Sequence, residues 1–133
     1  MARELVRRSL PSGRTARVIM SEAADGDLAV GGPEDLLTSR RKEVVAGPWA
    51  WVHQVHGTTV IDVPEPGRGS GSSADALVTA TTVAPLAIQV ADCVPVALIA
   101  PAGVVAIAHA GWRGLAAGIL ERTAEAVLTR GGV

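Results

Sequence analysis

The sequence predicts a single domain of mixed α/β class, with a β-sheet core flanked by helices. Three observations indicate this class. The 133 residues are 48% apolar and 19% charged, a composition typical of a globular domain. Four short apolar runs follow one another between residues 75 and 109, and their continuity favours strands covered on both faces. A helical period of apolar residues then extends over residues 114–132.

The first half of the chain contains elements of both kinds. The stretch "TARVIM" at 15–20 favours a strand, and residues 33–46 favour a helix with proline near its start. Residues 49–63 are dense in Trp, Val, Ile and Thr, which predicts one or two strands broken near Gly57. The stretch "PEPGRGSGSS" at 64–73 is a loop by composition, and a surface loop is favoured over an active-site lid.

The second half is more regular. The apolar runs predicted as strands are "DALVTA" (75–80), "PLAIQVAD" (85–92), "PVALIA" (95–100) and "VVAIAH" (104–109). Beyond them, "GLAAGILERTAEAVLTRGG" predicts one helix with a polar face, ended by the pair Gly131-Gly132.

Charge and composition exclude several function classes. A net charge of −1 and three Trp without Phe or Tyr argue against nucleic acid as a partner. The 20 uncharged residues between Asp92 and Arg113 could suggest a membrane helix, but Pro95 and "PAG" at 101–103 divide them into two strands. The N-terminus lacks the apolar core of a secretory signal, and one cysteine cannot form an internal disulfide. We therefore expect a cytoplasmic protein without a membrane partner.

A hairpin would bring the only cysteine close to a histidine. If residues 101–103 form a three-residue turn, His109 lies opposite Pro95 and Cys93 lies opposite Gly111. Cys93 and Pro95 share parity, so Cys93 and His109 are diagonal neighbours on one face, roughly 7–8 Å apart at Cβ. That separation suits two side chains that bind one metal ion between them.

A third ligand would have to come from elsewhere, and His53 and His56 are the candidates. Their offset of three places them on opposite faces of an extended strand, so at most one can face the site. Two histidines and a cysteinate with an open fourth position describe a catalytic zinc site. The alternative is that Cys93 is an inert buried thiol and that His109 is a structural residue.

The stretch "HAGWRGL" forms the turn from the last strand into the helix. Gly111 and Gly114 flank Trp112 and Arg113 there, and the first free N–H groups of a helix can bind an anion. Arg113 adds a guanidinium that suits phosphate. The alternative is a tight turn with an exposed arginine.

Two carboxylates border the apolar strands. Asp75 begins "DALVT", and Asp92 directly precedes Cys93. Each could orient a histidine or transfer protons, and each could equally cap a turn.

Four short motifs together resemble one family. They are "QVHG" (54–57), "ADALVT" (74–79), "ADCVPV" (91–96) and "HAGWRG" (109–114). Their order and spacing resemble the polyphenol oxidase or laccase-domain proteins, now regarded as zinc-dependent purine nucleoside phosphorylases. The resemblance extends over about residues 49–130, and residues 1–48 match poorly.

The resemblance implies a layered sheet core similar to the cytotoxic necrotizing factor catalytic domain. It selects His56 over His53 and implies His56, Cys93 and His109 as metal ligands, with zinc favoured over copper. It also implies phosphorolysis of adenosine, inosine, guanosine and methylthioadenosine, and deamination of adenosine. The residues expected to act on substrate are Cys93, Asp92 and Asp75 in catalysis, and Arg113, Gly111 and Gln54 in binding of phosphate or nucleoside.

Family members run to nearly twice this length, so residues 1–133 are expected to form one domain that corresponds to the N-terminal half of the family domain. Two alternatives remain open. One is a non-catalytic remnant that binds metal or a partner, with association into a homodimer. The other is a copper polyphenol oxidase, which three histidines do not favour because a multicopper site needs many more.

Overall fold

The computed structural model describes residues 2–131. Within that range the chain forms three helices, namely α1 (Glu34–Val44), α2 (Trp112–Ala117) and α3 (Ile119–Thr129), and a 3-10 turn at Ala23–Asp25. The strands are β1 (Arg3–Ser9), β2 (Thr15–Met20), β3 (Val52–His53), β4 (Val60–Asp62), β5 (Ser72–Ser73), β6 (Ala76–Thr79), β7 (Val94–Ile99) and β8 (Val105–Ala110). The mixed α/β class is confirmed.

A four-stranded sheet in the order β4-β6-β8-β7 forms the centre of the fold. The β4 and β6 strands are parallel, whereas β6 with β8 and β7 with β8 are antiparallel. All four residues of β6 are buried, as its continuous apolar run predicts. The same expectation is wrong for β7, because β7 is the outer strand of the sheet and Val94 remains 56% exposed.

Helix α3 covers one face of this sheet. Ile119 is fully buried against Ala76, Ala108 and Ala110, and Val127 packs in a second cluster around Val78. The small alanine side chains allow the helix to approach the sheet closely. The opposite face is covered by two irregular segments. On this face Leu77 of β6 forms a buried cluster with Ala50, Val52, Val63 and Ala74, and Leu86 and Ile88 pack against it.

The β7–β8 hairpin has the register that the sequence predicts. His109 pairs with Pro95, and the N–H of Ala100 donates to the carbonyl of Val104 at 2.9 Å. The even-numbered residues of β8 pack towards α3, so His109 points to the opposite face. The hairpin therefore carries its one histidine to the side of the sheet away from α3.

The loop 64–73 connects two parallel strands, β4 and β6. Its last residues form β5, which pairs in parallel with β3 over Val52 and His53. This loop is thus the crossover that leads the chain back beside β4, directly before Asp75.

Three sequence expectations need correction. The run "PLAIQVAD" is not a strand, since only an isolated bridge between Ala50 and Leu86 forms there. The expected single C-terminal helix is two helices, because Gly118 has φ +103° and breaks the chain direction between α2 and α3. The strand β1 was not expected, since its residues are mostly exposed and show no apolar alternation.

Helix α3 ends at Thr129, and Gly131 follows it with φ +86°. Gly132, the other half of the predicted stop signal, lies outside the described residues. Over residues 2–131, the helices are too short and too polar to cross a membrane. The long uncharged stretch before Arg113 is instead the β7–β8 hairpin and its flanks.

Candidate metal centre

Three potential ligands converge at one end of the sheet. They are the trio His56, Cys93 and His109. Each offers one ligand atom, and these atoms all lie within 4.8 Å of one another. The two imidazole rings meet edge to face, with centroids 4.9 Å apart. His109 is buried, Cys93 is half-buried and His56 is exposed, so the group opens to solvent on one side.

His109 is fixed by a carboxylate. Its Nδ1 lies 2.7 Å from Oδ2 of Asp75, and both side chains are almost completely buried. The backbone reinforces the pairing, because the N–H of His109 donates to the carbonyl of Asp75 at 2.7 Å. With Nδ1 engaged in this way, Nε2 is the nitrogen that remains for a metal.

His56 lies in a turn and not in an extended strand. Its φ is +59°, a left-handed conformation that is uncommon outside glycine. The turn wraps around the Asp75 carboxylate, which accepts the N–H groups of Val55 at 3.0 Å, His56 at 3.0 Å and Gly57 at 2.9 Å. The structure places His56, and not His53, beside Cys93 and His109. The turn separates the two histidines, so the parity of an extended strand does not apply.

The same contacts set the ionisation of Asp75. Burial alone raises the pKa of this carboxyl. The hydrogen bonds from His109 and from the N–H groups of Gly57, Val55 and His56 outweigh burial, so the pKa is lowered below its usual value. Asp75 is therefore an anion at neutral pH, enclosed by hydrogen-bond donors.

Gly111 lies directly against two of the three potential ligands, Cys93 and His56. A Cβ built on Gly111 would lie 3.1 Å from Sγ of Cys93 and 3.2 Å from Nδ1 of His56. Only a glycine leaves room for the two ligands to approach each other here. The β7–β8 ladder ends at the pair Val94 and Ala110, and Cys93 and Gly111 are the next residues beyond it.

The group fits a metal ion such as zinc. One thiolate and two imidazoles are the ligands of catalytic zinc sites with an open fourth position. With bonds of about 2.0–2.3 Å in tetrahedral geometry, ligand atoms are roughly 3.5 Å apart. Separations of up to 4.8 Å therefore require the ligands to close by about 1 Å.

The other predicted site residues differ in their contacts and exposure. Gln54 bonds the backbone of Gln89 in both directions, donating to its carbonyl at 2.6 Å and accepting its N–H at 2.7 Å. Asp92 is exposed, and so is Arg113, whose guanidinium lies 5.1 Å from the ring centre of Trp112. His53 is outside the trio, in edge contact with Trp51 at 5.3 Å.

One residue was missed by the sequence reasoning. The side chain of Gln89 donates to the carbonyl of Leu28 and accepts the N–H of Val30 at 3.1 Å. Gln89 therefore links the segment before the histidine turn, through Gln54, to residues 28–30. A lone glutamine inside the apolar run 85–91 is the signal that could have identified it, since a polar side chain in such a run needs partners.

Comparison with known proteins gives consistent findings. A family model described as multi-copper polyphenol oxidoreductase laccase matches residues 23–133, a range that begins earlier than the four motifs suggest. A purine nucleoside phosphorylase of Deinococcus radiodurans is 46% identical over 87 residues, which are 65% of this chain and 33% of that protein. The purine nucleoside phosphorylase YlmD of Geobacillus stearothermophilus is 40% identical over 99 residues, 64% of this chain and 36% of that protein.

Solved structures agree with these relatives. The crystal structure of YlmD superimposes with a TM-score of 0.67 at 32% identity, over 80% of this chain and 45% of that one. A Neisseria meningitidis protein gives a TM-score of 0.64 at 36% identity, over 75% of this chain and 43% of that one. The matched region thus spans about a third of the curated relatives and less than half of the solved chains.

Proposed function

The chain belongs to the family described as multi-copper polyphenol oxidoreductase laccase, and on that premise we propose that it is a zinc-dependent purine nucleoside phosphorylase. The substrates would be adenosine, inosine, guanosine and methylthioadenosine with inorganic phosphate. Deamination of adenosine would occur in the same pocket. The substrate class is taken from the names of similar proteins, which are called purine nucleoside phosphorylases.

The single observation that carries the proposal is the convergence of His56, Cys93 and His109. These residues come from a turn, the approach to β7 and the end of β8, so the fold brings together side chains that are far apart in sequence. One thiolate and two imidazoles select zinc or copper over the hard cations, which prefer oxygen.

In phosphorolysis, the bond between C1′ and the purine nitrogen breaks and a bond from phosphate oxygen to C1′ forms, which gives the sugar 1-phosphate and the free base. A bound zinc ion would supply Lewis-acid stabilisation of negative charge at the site. His109 on β8 and Cys93, directly before β7, would hold it from one side, and the exposed His56 from the solvent side. Arg113, a nearby exposed cation, would pair with the phosphate, because a guanidinium binds phosphate oxygens in pairs.

The experiment is metal analysis of the purified chain combined with a phosphate-dependent assay of base release from adenosine and inosine. We expect about one zinc per chain and activity that the Cys93→Ala variant loses together with the metal. The matched control is His53→Ala, since His53 lies outside the trio on the neighbouring strand. Wild-type activity in Cys93→Ala would refute the proposal.

A non-catalytic metal-binding role is the second candidate. It requires only the three convergent side chains, whereas catalysis also requires contacts to the nucleoside. A folded chain that binds zinc with wild-type stoichiometry and releases no base from any of the four nucleosides would select it.

A copper oxidase is the third candidate, and only the family description favours it. The chain contains three histidines in total, fewer than a multicopper centre requires. Copper loading followed by visible spectroscopy tests this candidate, which predicts an intense band from a copper–thiolate bond.

A further inference from the structure

The Asp75 carboxylate is saturated with hydrogen bonds. Oδ1 accepts the N–H groups of Val55 and Gly57, while Oδ2 accepts the N–H of His56 and faces Nδ1 of His109. A carboxylate offers about four lone-pair positions, and all four are occupied here. A group with filled acceptors and no exposed surface cannot take a proton from a substrate.

The carboxylate contacts two different ligands of the trio, His56 and His109. Because Oδ2 can only accept a hydrogen bond, the facing Nδ1 of His109 must carry the ring proton. The other ring nitrogen, Nε2, then has a free lone pair for a metal. Through three consecutive N–H groups, it holds the turn in which His56 has its left-handed conformation. That conformation is unfavourable for a residue with a Cβ, and the three hydrogen bonds to an anion offset its cost.

We propose that Asp75 is a positioning residue that prepares two of the three metal ligands before any metal binds, and that it is not a proton-transfer group. The proposal rests on the proposed function only in taking the trio as a metal site. The arrangement of His56 and His109 by Asp75 in the metal-free protein does not depend on whether the protein is active.

The variant Asp75→Asn changes the contact with His109 and keeps most of the contacts with the turn. If the amide NH2 replaces Oδ2, it donates to Nδ1 of His109 and moves the ring proton to Nε2, the ligand nitrogen, while one backbone N–H, that of His56, faces a donor. If it replaces Oδ1, two backbone N–H groups, those of Val55 and Gly57, face a donor. The first arrangement loses fewer hydrogen bonds, so we expect the ring proton of His109 on Nε2.

The test is nitrogen-15 NMR of the histidine rings in the metal-free protein, followed by zinc titration. In the wild-type protein we expect His109 with its proton on Nδ1, and slow hydrogen exchange at the backbone N–H groups of Val55, His56 and Gly57. In Asp75→Asn we expect the proton on Nε2 and zinc affinity weaker by about 10- to 100-fold. The matched control is Asp62→Asn, which removes a carboxylate that pairs with Arg130 elsewhere on the sheet and should leave both readouts unchanged.

A metal-free wild-type spectrum with the His109 proton on Nε2 would overturn the proposal without any variant, so it stays testable if Asp75→Asn fails to fold. Wild-type tautomer and wild-type zinc affinity in a folded Asp75→Asn would also overturn it. If the wild-type protein shows the Nδ1 proton but binds no zinc, the proposed function fails and the role of Asp75 in the free protein stands.

Discussion

Replacing Gly111 with alanine should weaken metal binding while leaving the fold intact. The backbone of Gly111 has φ −79° and ψ 167°, which alanine adopts without strain. The new methyl group would lie 3.1 Å from Sγ of Cys93 and 3.2 Å from Nδ1 of His56, against about 3.5–4.0 Å for a comfortable contact. Both ligands would have to move outward, whereas binding requires the trio to close.

Without a metal the two side chains can move away from the methyl group, whereas in the metal-bound protein they cannot, and overpacking of this kind costs about 1–3 kcal/mol. At about 1.4 kcal/mol per factor of ten, zinc affinity should fall by about 5- to 150-fold. The assay is competition against a chromophoric chelator, with urea unfolding of the metal-free protein as the measure of stability. We expect the unfolding midpoint to stay close to that of the wild type.

The matched control is Gly57→Ala, a second glycine beside the site. A Cβ at Gly57 would meet Val55 at 3.6 Å and Asp75 at 3.8 Å, which are ordinary contacts. Zinc affinity in Gly111→Ala within twofold of wild type would refute the steric reasoning. If Gly111→Ala and Gly57→Ala lose zinc affinity equally, the loss does not come from a contact specific to Gly111.

Two further predictions concern stability. Ile119→Ala should lower the free energy of unfolding by about 2–5 kcal/mol, because Ile119 is fully buried against the sheet. Leu128 on the same helix is 60% exposed, so Leu128→Ala should change the free energy of unfolding by less than about 0.5 kcal/mol. Equal losses for the two variants in urea titrations would contradict this prediction. The pKa of Asp75 is lowered in the folded protein, so the unfolded chain takes up this proton first as the pH falls. The contribution of Asp75 is therefore fully present above the unfolded pKa of about 3.9 and is lost as the pH falls through the lower folded pKa. Urea midpoints between pH 6 and pH 2 should fall more steeply for the wild type than for Asp75→Asn, and parallel curves would count against the assignment.

Local pattern was sufficient to predict the β7–β8 hairpin. The three-residue turn at 101–103 determines the pairing of His109 with Pro95, so the approach of Cys93 to His109 follows from register alone. The break at Gly118 was not predictable in this way, because a glycine within a helical period is compatible with an unbroken helix as well as with a left-handed residue.

Non-local contacts account for what the sequence did not reveal. The strand prediction at 85–92 failed because this segment bonds to Ala50 and to the side chain of Gln54, and not to a strand ladder. The selection of His56 depended on the family resemblance, because the turn around Asp75 is created by a carboxylate 19 residues further along the chain.

The connection from β4 to β6 suggests an order in which the candidate site forms during folding. The β7–β8 hairpin closes through a three-residue turn, and hairpins form in about 1–10 μs, so we expect Cys93 and His109 to meet early. We expect His56 to reach them only after the crossover at 64–73 has placed Asp75 beside its turn, since a longer loop must lose more conformational entropy before its contacts form. On this expectation, an ion that requires all three side chains would bind only to chains that have finished folding.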